Sequence, residues 1–142
     1  MLLSLDANVL FAAAFNPEGR VQRLFDLAEL KACDLLSSAF AIEEARRNLT
    51  VKRPKALERY KDRLRLVSMT VEPAAELIAQ MAQHVPANDA PILAGAIAAR
   101  ADVLVTGDRR HFGDSYGRSI GGVLVLTPRE ALAQVIGETA PR

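Results

Sequence analysis

The chain has 142 residues, half of them apolar, and a formal net charge of +1. That is one domain able to bury a core unaided, and it excludes a disordered chain. No apolar run approaches the roughly 20 residues that cross a bilayer, MLLSLDANVL lacks the basic start of a signal peptide, and a single Cys33 permits no internal disulfide. The expected setting is a reducing cytoplasm with no membrane contact, and Cys and His are not spaced as zinc ligands.

Short apolar runs alternate with helical patterns, the order of a parallel α/β sheet. Residues 2–5 read as the first strand, followed by a loop holding Asn16, Pro17 and Gly19. A helix then places Val21, Leu24, Phe25 and Ala28 on one face. Residues 34–37 read as a short strand and 40–49 as a helix. Residues 55–64 form another, with Leu57, Tyr60 and Leu64 on its apolar side, and Pro54 between them makes a helical hairpin. A strand at 66–69 precedes a helix opened by Glu72-Pro73 and running to about Gln83. Asn88-Asp89-Ala90-Pro91 starts the next helix, a capping side chain followed by proline, with Ile92, Leu93, Ala96 and Ile97 as its buried stripe. Residues 103–105 form the clearest strand. Gly121-Gly122 turns the chain into a last strand at 123–126, and Thr127-Pro128-Arg129-Glu130 is a capping box for a final helix to about Ile136. One domain over residues 1–137 is expected, with 138–142 as a C-terminal tail.

Charge is unevenly spread. Between Arg46 and Arg65 nine basic side chains face only Glu58 and Asp62, a local charge of +7. Such a run serves either as a solvated helical face or as a surface for phosphates.

The acids fall into a pattern. In an open parallel sheet ligands bind outside the C-terminal strand ends. Asp6 follows the first strand and Asp108 follows the 103–105 strand, whereas Asp102 bounds that strand at its other end. Asp89 begins the helix leading into the same strand, which a right-handed crossover brings to the C-terminal edge. Glu43 and Glu44 are adjacent, so only one can face a given point; Glu44 lies closer to the buried stripe of Ala41, Ala45 and Leu49. Singly, each acid has a structural use: Asp6 or Asp108 in a turn, Asp89 as a cap, Glu44 on a solvated face. Together they would repel one another unless a divalent cation lay among them, and oxygen donors suit magnesium or manganese.

LDANVLF, EEARRNL and NDAPILAGAIAARADVLVTGDRRHF, in this order and spacing over residues 2–127, resemble the PIN-domain nucleases, especially the small VapC-like members. The resemblance implies a three-layer α/β/α sandwich around a central parallel sheet. It also implies a Mg2+- or Mn2+-dependent nuclease acting on single-stranded or structured RNA. Asp6, Glu44, Asp89 and Asp108 take the acidic positions, with Asp6, Asp89 and Asp108 on the metal, and Asn8, Ser38 and Thr106 orient them. The family often carries a further acid or amide after the last Asp; Arg109, Arg110 and His111 stand there instead, with Asp114 beyond.

The mechanism expected is in-line attack on a phosphodiester by water that the cation makes acidic, with Asp89 or Glu44 accepting or steering its proton. The resemblance implies products with 5′-phosphate and 3′-hydroxyl ends. Arg46, Arg47, Lys52, Arg53 and Arg110 track the RNA backbone, and with few aromatics selectivity is expected from pocket shape rather than stacking. Small relatives are often toxins of toxin–antitoxin pairs, so an antitoxin protein and a homodimer are the partners the resemblance implies.

Three other readings fit less well. The late Gly-Asp faintly resembles haloacid dehalogenase-type phosphatases, but Lys61 is the last lysine and lies far upstream. A degenerate PIN-like module binding RNA or protein without cutting draws on the missing acid after Asp108, and retention of the four principal acids opposes it. A small-ligand domain lacks any GxGxxG or GxxxxGK[ST] loop.

Overall fold

Runs such as LLSL and VLVL suit strands buried on both faces, and the chain uses them at the centre of its sheet. The computed structural model describes residues 1–107 and 115–139. Among these, β1 (Leu2–Leu5), β2 (Asp34–Ser37), β3 (Val67–Met69), β4 (Val103–Val105), β5 (Ser119–Ile120) and β6 (Val123–Leu126) form one sheet in the order β3-β2-β1-β4-β6-β5. Every pairing is parallel except that of β5 with β6.

Among the described residues the helices are α1 (Ala7–Phe15), α2 (Arg20–Glu29), α3 (Ala39–Lys52), α4 (Leu57–Leu64), α5 (Ala75–Met81), α6 (Ala90–Ala98) and α7 (Pro128–Thr139), with a 3-10 turn at Pro54–Ala56. From β1 to β2 to β3 the chain steps one way across the sheet, then returns past β1 to β4. Right-handed connections therefore place α1–α4 on one face and α5 and α6 on the other. α7 packs on α2, β4 and β6, which puts it with the first group. The result is a three-layer α/β/α sandwich with a mostly parallel sheet. Its core runs through Leu3, Leu5, Leu35, Leu104 and Val125 into Leu24, Phe25, Leu49 and Leu93 of the helices.

Four local features depart from the sequence reading. The segment after Asp6 is not a loop but α1, with Asp6 as N-cap; its apolar residues lie on every side, which erases the 3.6-residue period. β5 adds a short antiparallel strand, joined to β6 through Gly121 and Gly122 at φ 58° and 86°, the backbone of a tight two-residue hairpin. α5 begins at Ala75, leaving Pro73 outside it. α7 continues to Thr139. The capping box itself forms, Thr127 N–H donating to Glu130 Oε1 at 3.1 Å and Glu130 N–H to Thr127 Oγ1 at 3.2 Å. No described helix is long and apolar enough to cross a membrane.

Connections leave β1 toward β2 and β4 toward β6, so the strand order reverses between β1 and β4. The crevice outside their C-terminal ends is where this kind of sheet holds ligands.

Candidate active site

Asp6 closes β1, its N–H donating to the Val105 carbonyl of β4 at 3.1 Å. Asp6 is only 8 % exposed, and both its carboxylate oxygens accept hydrogen bonds. Oδ1 accepts the Ala7 N–H at 2.8 Å, and Oδ2 accepts the Thr106 hydroxyl at 2.9 Å and the Asn8 amide at 3.3 Å. The Asn8 Oδ1 takes the Gly107 N–H at 2.9 Å, and the Tyr116 hydroxyl donates to the Thr106 carbonyl at 2.7 Å. The carboxylate is thus fixed by the first turn of α1, the end of β4 and the approach to β5 together. Such bracing lowers the cost of burying a charge and sets its direction.

In front of this network lies a cavity of about 810 Å³ along the C-terminal edge of the sheet. Asp6, Asn8, Ser38, Glu44, Lys52 and Asp89 all line it, so half of the twelve residues selected from the sequence meet in one place. Three helix starts converge there, at Asp6, Ser38 and Asp89, and their partial positive charge offsets the crowding of carboxylates. Ser38 serves locally, its Oγ accepting the Ala41 N–H at 3.0 Å as the cap of α3. Asp89 is the N-cap of α6 by position, yet its side chain makes no capping bond. Its backbone is helical (φ −100°, ψ −13°) rather than extended, so the carboxylate does not fold back over the amides.

Glu43 points elsewhere. It pairs with Arg46, and that hydrogen bond is the main cause holding its carboxyl below the usual range. Arg46 is therefore committed to an intrahelical pair. In the rest of the basic segment Lys61, Arg63 and Arg65 also face acids, and Arg59 donates to the Ala14 carbonyl at 3.0 Å. Among the described residues Arg47, Lys52 and Arg53 carry no ion pair, but Arg53 lies 4.6 Å over the Phe15 ring and Lys52 5.7 Å over Phe11. Asp108 and Arg110, with Arg109, His111 and Asp114, lie outside the described residues.

Among the described residues the metal-ligating side chains of the cavity offer oxygen: the carboxylates of Asp6, Glu44, Asp89 and also Glu72, with the amides of Asn8, Asn48 and Asn88 and the Ser38 hydroxyl. That set fits a hard divalent cation such as Mg2+ or Mn2+ rather than a thiolate- or imidazole-seeking metal. Among the described residues no three His, Cys, Asp or Glu side chains are grouped tightly enough to hold an ion as they stand.

A PIN-domain family model matches residues 3–110. The chain belongs to the PIN-domain family. PIN domains are generally nucleases that use divalent metals, which agrees with the oxygen-rich cavity of this one. No curated protein sequence matches it significantly. Solved structures share the fold. PAE2754 from Pyrobaculum aerophilum is 20 % identical, with a TM-score of 0.68 over 96 % of this chain and 99 % of that one. VapBC2 from Rickettsia felis, bound to a DNA fragment from their promoter, is 17 % identical, with a TM-score of 0.67 over 89 % and 98 %. FitAB bound to the IR36 DNA fragment is 25 % identical, with a TM-score of 0.59 over 90 % and 95 %.

Sequence reasoning passed over three features of this PIN domain's cleft. Glu72 lies in the irregular segment before α5, where no periodicity flags it. Tyr116 reaches Thr106 from ten residues away in a stretch with no motif. Phe40 and Asn48 were legible in principle, because they share the four-residue spacing of Glu44 along α3.

Proposed function

We propose that this PIN domain is a metal-dependent endoribonuclease that hydrolyses phosphodiester bonds of single-stranded RNA, the toxin of a toxin–antitoxin pair. The observation that carries the reading is the meeting of Asp6, Glu44 and Asp89, from three separate parts of the chain, in one cavity at the reversal point of the sheet. Asp6, Asp89 and Asp108 are the residues to hold a divalent cation, which would polarise a phosphoryl oxygen and make water a competent nucleophile near neutral pH. Thr106 and Asn8 keep the Asp6 carboxylate aimed by donating to Oδ2. A carboxylate oxygen of Glu44, across the cavity on α3, accepts the proton of the attacking water. The helix starts at Asp6, Ser38 and Asp89 favour a phosphate in the cleft, and Lys52 at its rim adds a formal positive charge. The products carry 5′-phosphate and 3′-hydroxyl ends. The likeness to VapBC2 and FitAB, toxin–antitoxin proteins, supports an antitoxin partner; a homodimer working in the cytoplasm completes the reading.

The test is incubation of the purified chain with a mixed single-stranded RNA pool in magnesium, in manganese and in chelator, beside Asp89→Asn. Cleavage that requires metal and vanishes in Asp89→Asn is the expected result. A folded wild type that binds RNA but never cuts it would replace this reading with a non-catalytic RNA-binding module.

A further inference from the structure

Four residues of α3 stand four apart and all line the cavity: Phe40, Glu44, Asn48 and Lys52. Side chains at this spacing form one continuous ridge on a helix. The ridge runs about 18 Å from end to end, twelve residues at the helical rise, with the Glu44 carboxylate, the proton acceptor, inside it rather than at its tip.

Its ends differ in chemistry. Phe40 is 61 % exposed although it borders a partly apolar cleft, so packing does not account for its ring. At the far end the Lys52 ammonium sits 5.7 Å over the Phe11 ring, itself stacked on Phe15 at a centroid distance of 5.2 Å. That contact holds a flexible side chain in one place and leaves it at the cleft. Asn48, between them, offers both a donor and an acceptor to the same space.

We infer that this ridge is the substrate-reading face of the nuclease: Phe40 stacks the base on one side of the scissile phosphate, and Lys52 grips the backbone phosphate on the other, with Asn48 hydrogen-bonding the nucleotide between. The inference rests on the ribonuclease reading and deepens it by naming what the cleft recognises, an unpaired strand lying along α3. Every base has a π-face and a free strand can splay its bases, so a single exposed ring suits single-stranded RNA and not a duplex. Stacking therefore enters selectivity at one nucleotide, although the chain as a whole is poor in aromatics. Recognition is also asymmetric: a base contact on one side of the cut, a sequence-blind charge contact on the other.

The test uses short single-stranded RNAs carrying 2-aminopurine at successive positions, bound by the full chain in chelator so that nothing is cut. Wild type quenches the fluorophore at one position. Phe40→Ala removes that quench and weakens binding by about tenfold, while Phe40→Trp retains both. Lys52→Ala weakens all sequences alike and lowers the slope of log affinity against log salt by about 0.7. Phe40 is exposed, so its variants should melt as the wild type does. RNA binding and quenching unchanged in Phe40→Ala would overturn the inference and leave a protein contact as the ring's use. Cleavage run in parallel with magnesium separates the failures. Wild-type cleavage with the same site preference in Phe40→Ala sinks this inference alone, whereas neither binding nor cleavage by wild type sinks both.

Discussion

The two edges of the parallel sheet use the same side chains in opposite ways. At the N-terminal edge Asp102 is exposed, and its Oδ2 accepts the Leu2 N–H at 2.7 Å while its backbone bonds both Leu2 and Leu124. Arg65 reaches Glu29 through two bonds of 2.9 and 2.8 Å and Asp62 through one of 3.1 Å, tying the end of α2 to the end of α4. At the C-terminal edge the acids instead face a shared cavity, and the groups bonded to Asp6 hold it toward that space. The starts of α1, α3 and α6 line that cavity, so backbone dipoles favour negative charge there, the setting in which a phosphate would be held. An aspartate at the first edge closes the fold; at the second it is available for chemistry. Position relative to the strand ends, not residue type, separates them.

The contrast breaks most directly by substituting one aspartate from each edge. Asp89→Asn should lower RNA cleavage by about a hundredfold or more while folding normally, since it removes one of the carboxylates proposed to hold the cation. Asp102→Asn should leave cleavage unchanged. Equal loss of activity in both, at equal stability, would show that the edges are not distinct in the way argued. A smaller effect sharpens the same point. Thr106→Val removes the hydroxyl that donates to the buried Asp6 carboxylate, at a cost of about 1–3 kcal/mol in urea unfolding. It should also lower cleavage by about tenfold or more, because the carboxylate loses its aim. A drop in stability without loss of activity would make Thr106 a fold residue only.

The wall that carries Glu44 gives the next size of effect. The Tyr60 hydroxyl, on α4, donates to the Ile42 carbonyl of α3 at 2.6 Å in a nearly solvent-free position. Tyr60→Phe should cost about 1 kcal/mol by denaturant titration and leave the ring's packing intact. Burial pushes the phenol well above its ordinary value, and Glu43 adds to the effect. A raised pKa in the folded state gives stability that is complete below the unfolded value and is lost as pH rises through the folded one. Wild type should therefore lose stability above about pH 10, and Tyr60→Phe should lose less over that range. Parallel alkaline profiles would remove Tyr60 from the account.

Much of this arrangement could be read from residue order, and the failures have physical causes. Strand ends located Asp6, and helix handedness brought Asp89 to the same edge without any knowledge of contacts. The choice of Glu44 over Glu43 needed the angle between successive helical residues and the buried stripe of Ala41, Ala45 and Leu49, which Glu44 borders more closely. By contrast α1 escaped because Ala7, Val9, Leu10, Ala13 and Ala14 are buried on several sides, which leaves no polar face to mark the period. β5 is two residues long, too short for alternation to show. Capping chemistry predicted a bond at Asp89 that the local backbone turns away from. The Thr106–Asp6 hydrogen bond spans 100 positions, and Glu72 reaches the cleft from irregular chain; neither leaves a local signal. The basic run was legible as charge but not as function, because much of it is answered by neighbouring acids.

The smallest effect belongs to the edge where acids close the fold. The hydrogen bond from Arg65, the leading cause, holds the Glu29 carboxyl below its ordinary range, with the charge of Arg65 adding to it. A depressed pKa in the folded state means stability that is present above the unfolded value, about 4.3 for a glutamate, and is lost as pH falls through the folded one. Both partners are about half exposed, so salt and water screen the pair and its contribution is slight. Glu29→Gln should lower the urea midpoint a little at neutral pH and low salt. The gap to wild type should close on acidification below about pH 4, and also on raising salt at neutral pH, with RNA cleavage unaffected. A gap that stayed constant through acid would mean that the amide fails by shape rather than by charge. A loss of cleavage would mean that the N-terminal edge reaches the active site, and the division of labour between the two edges would fall.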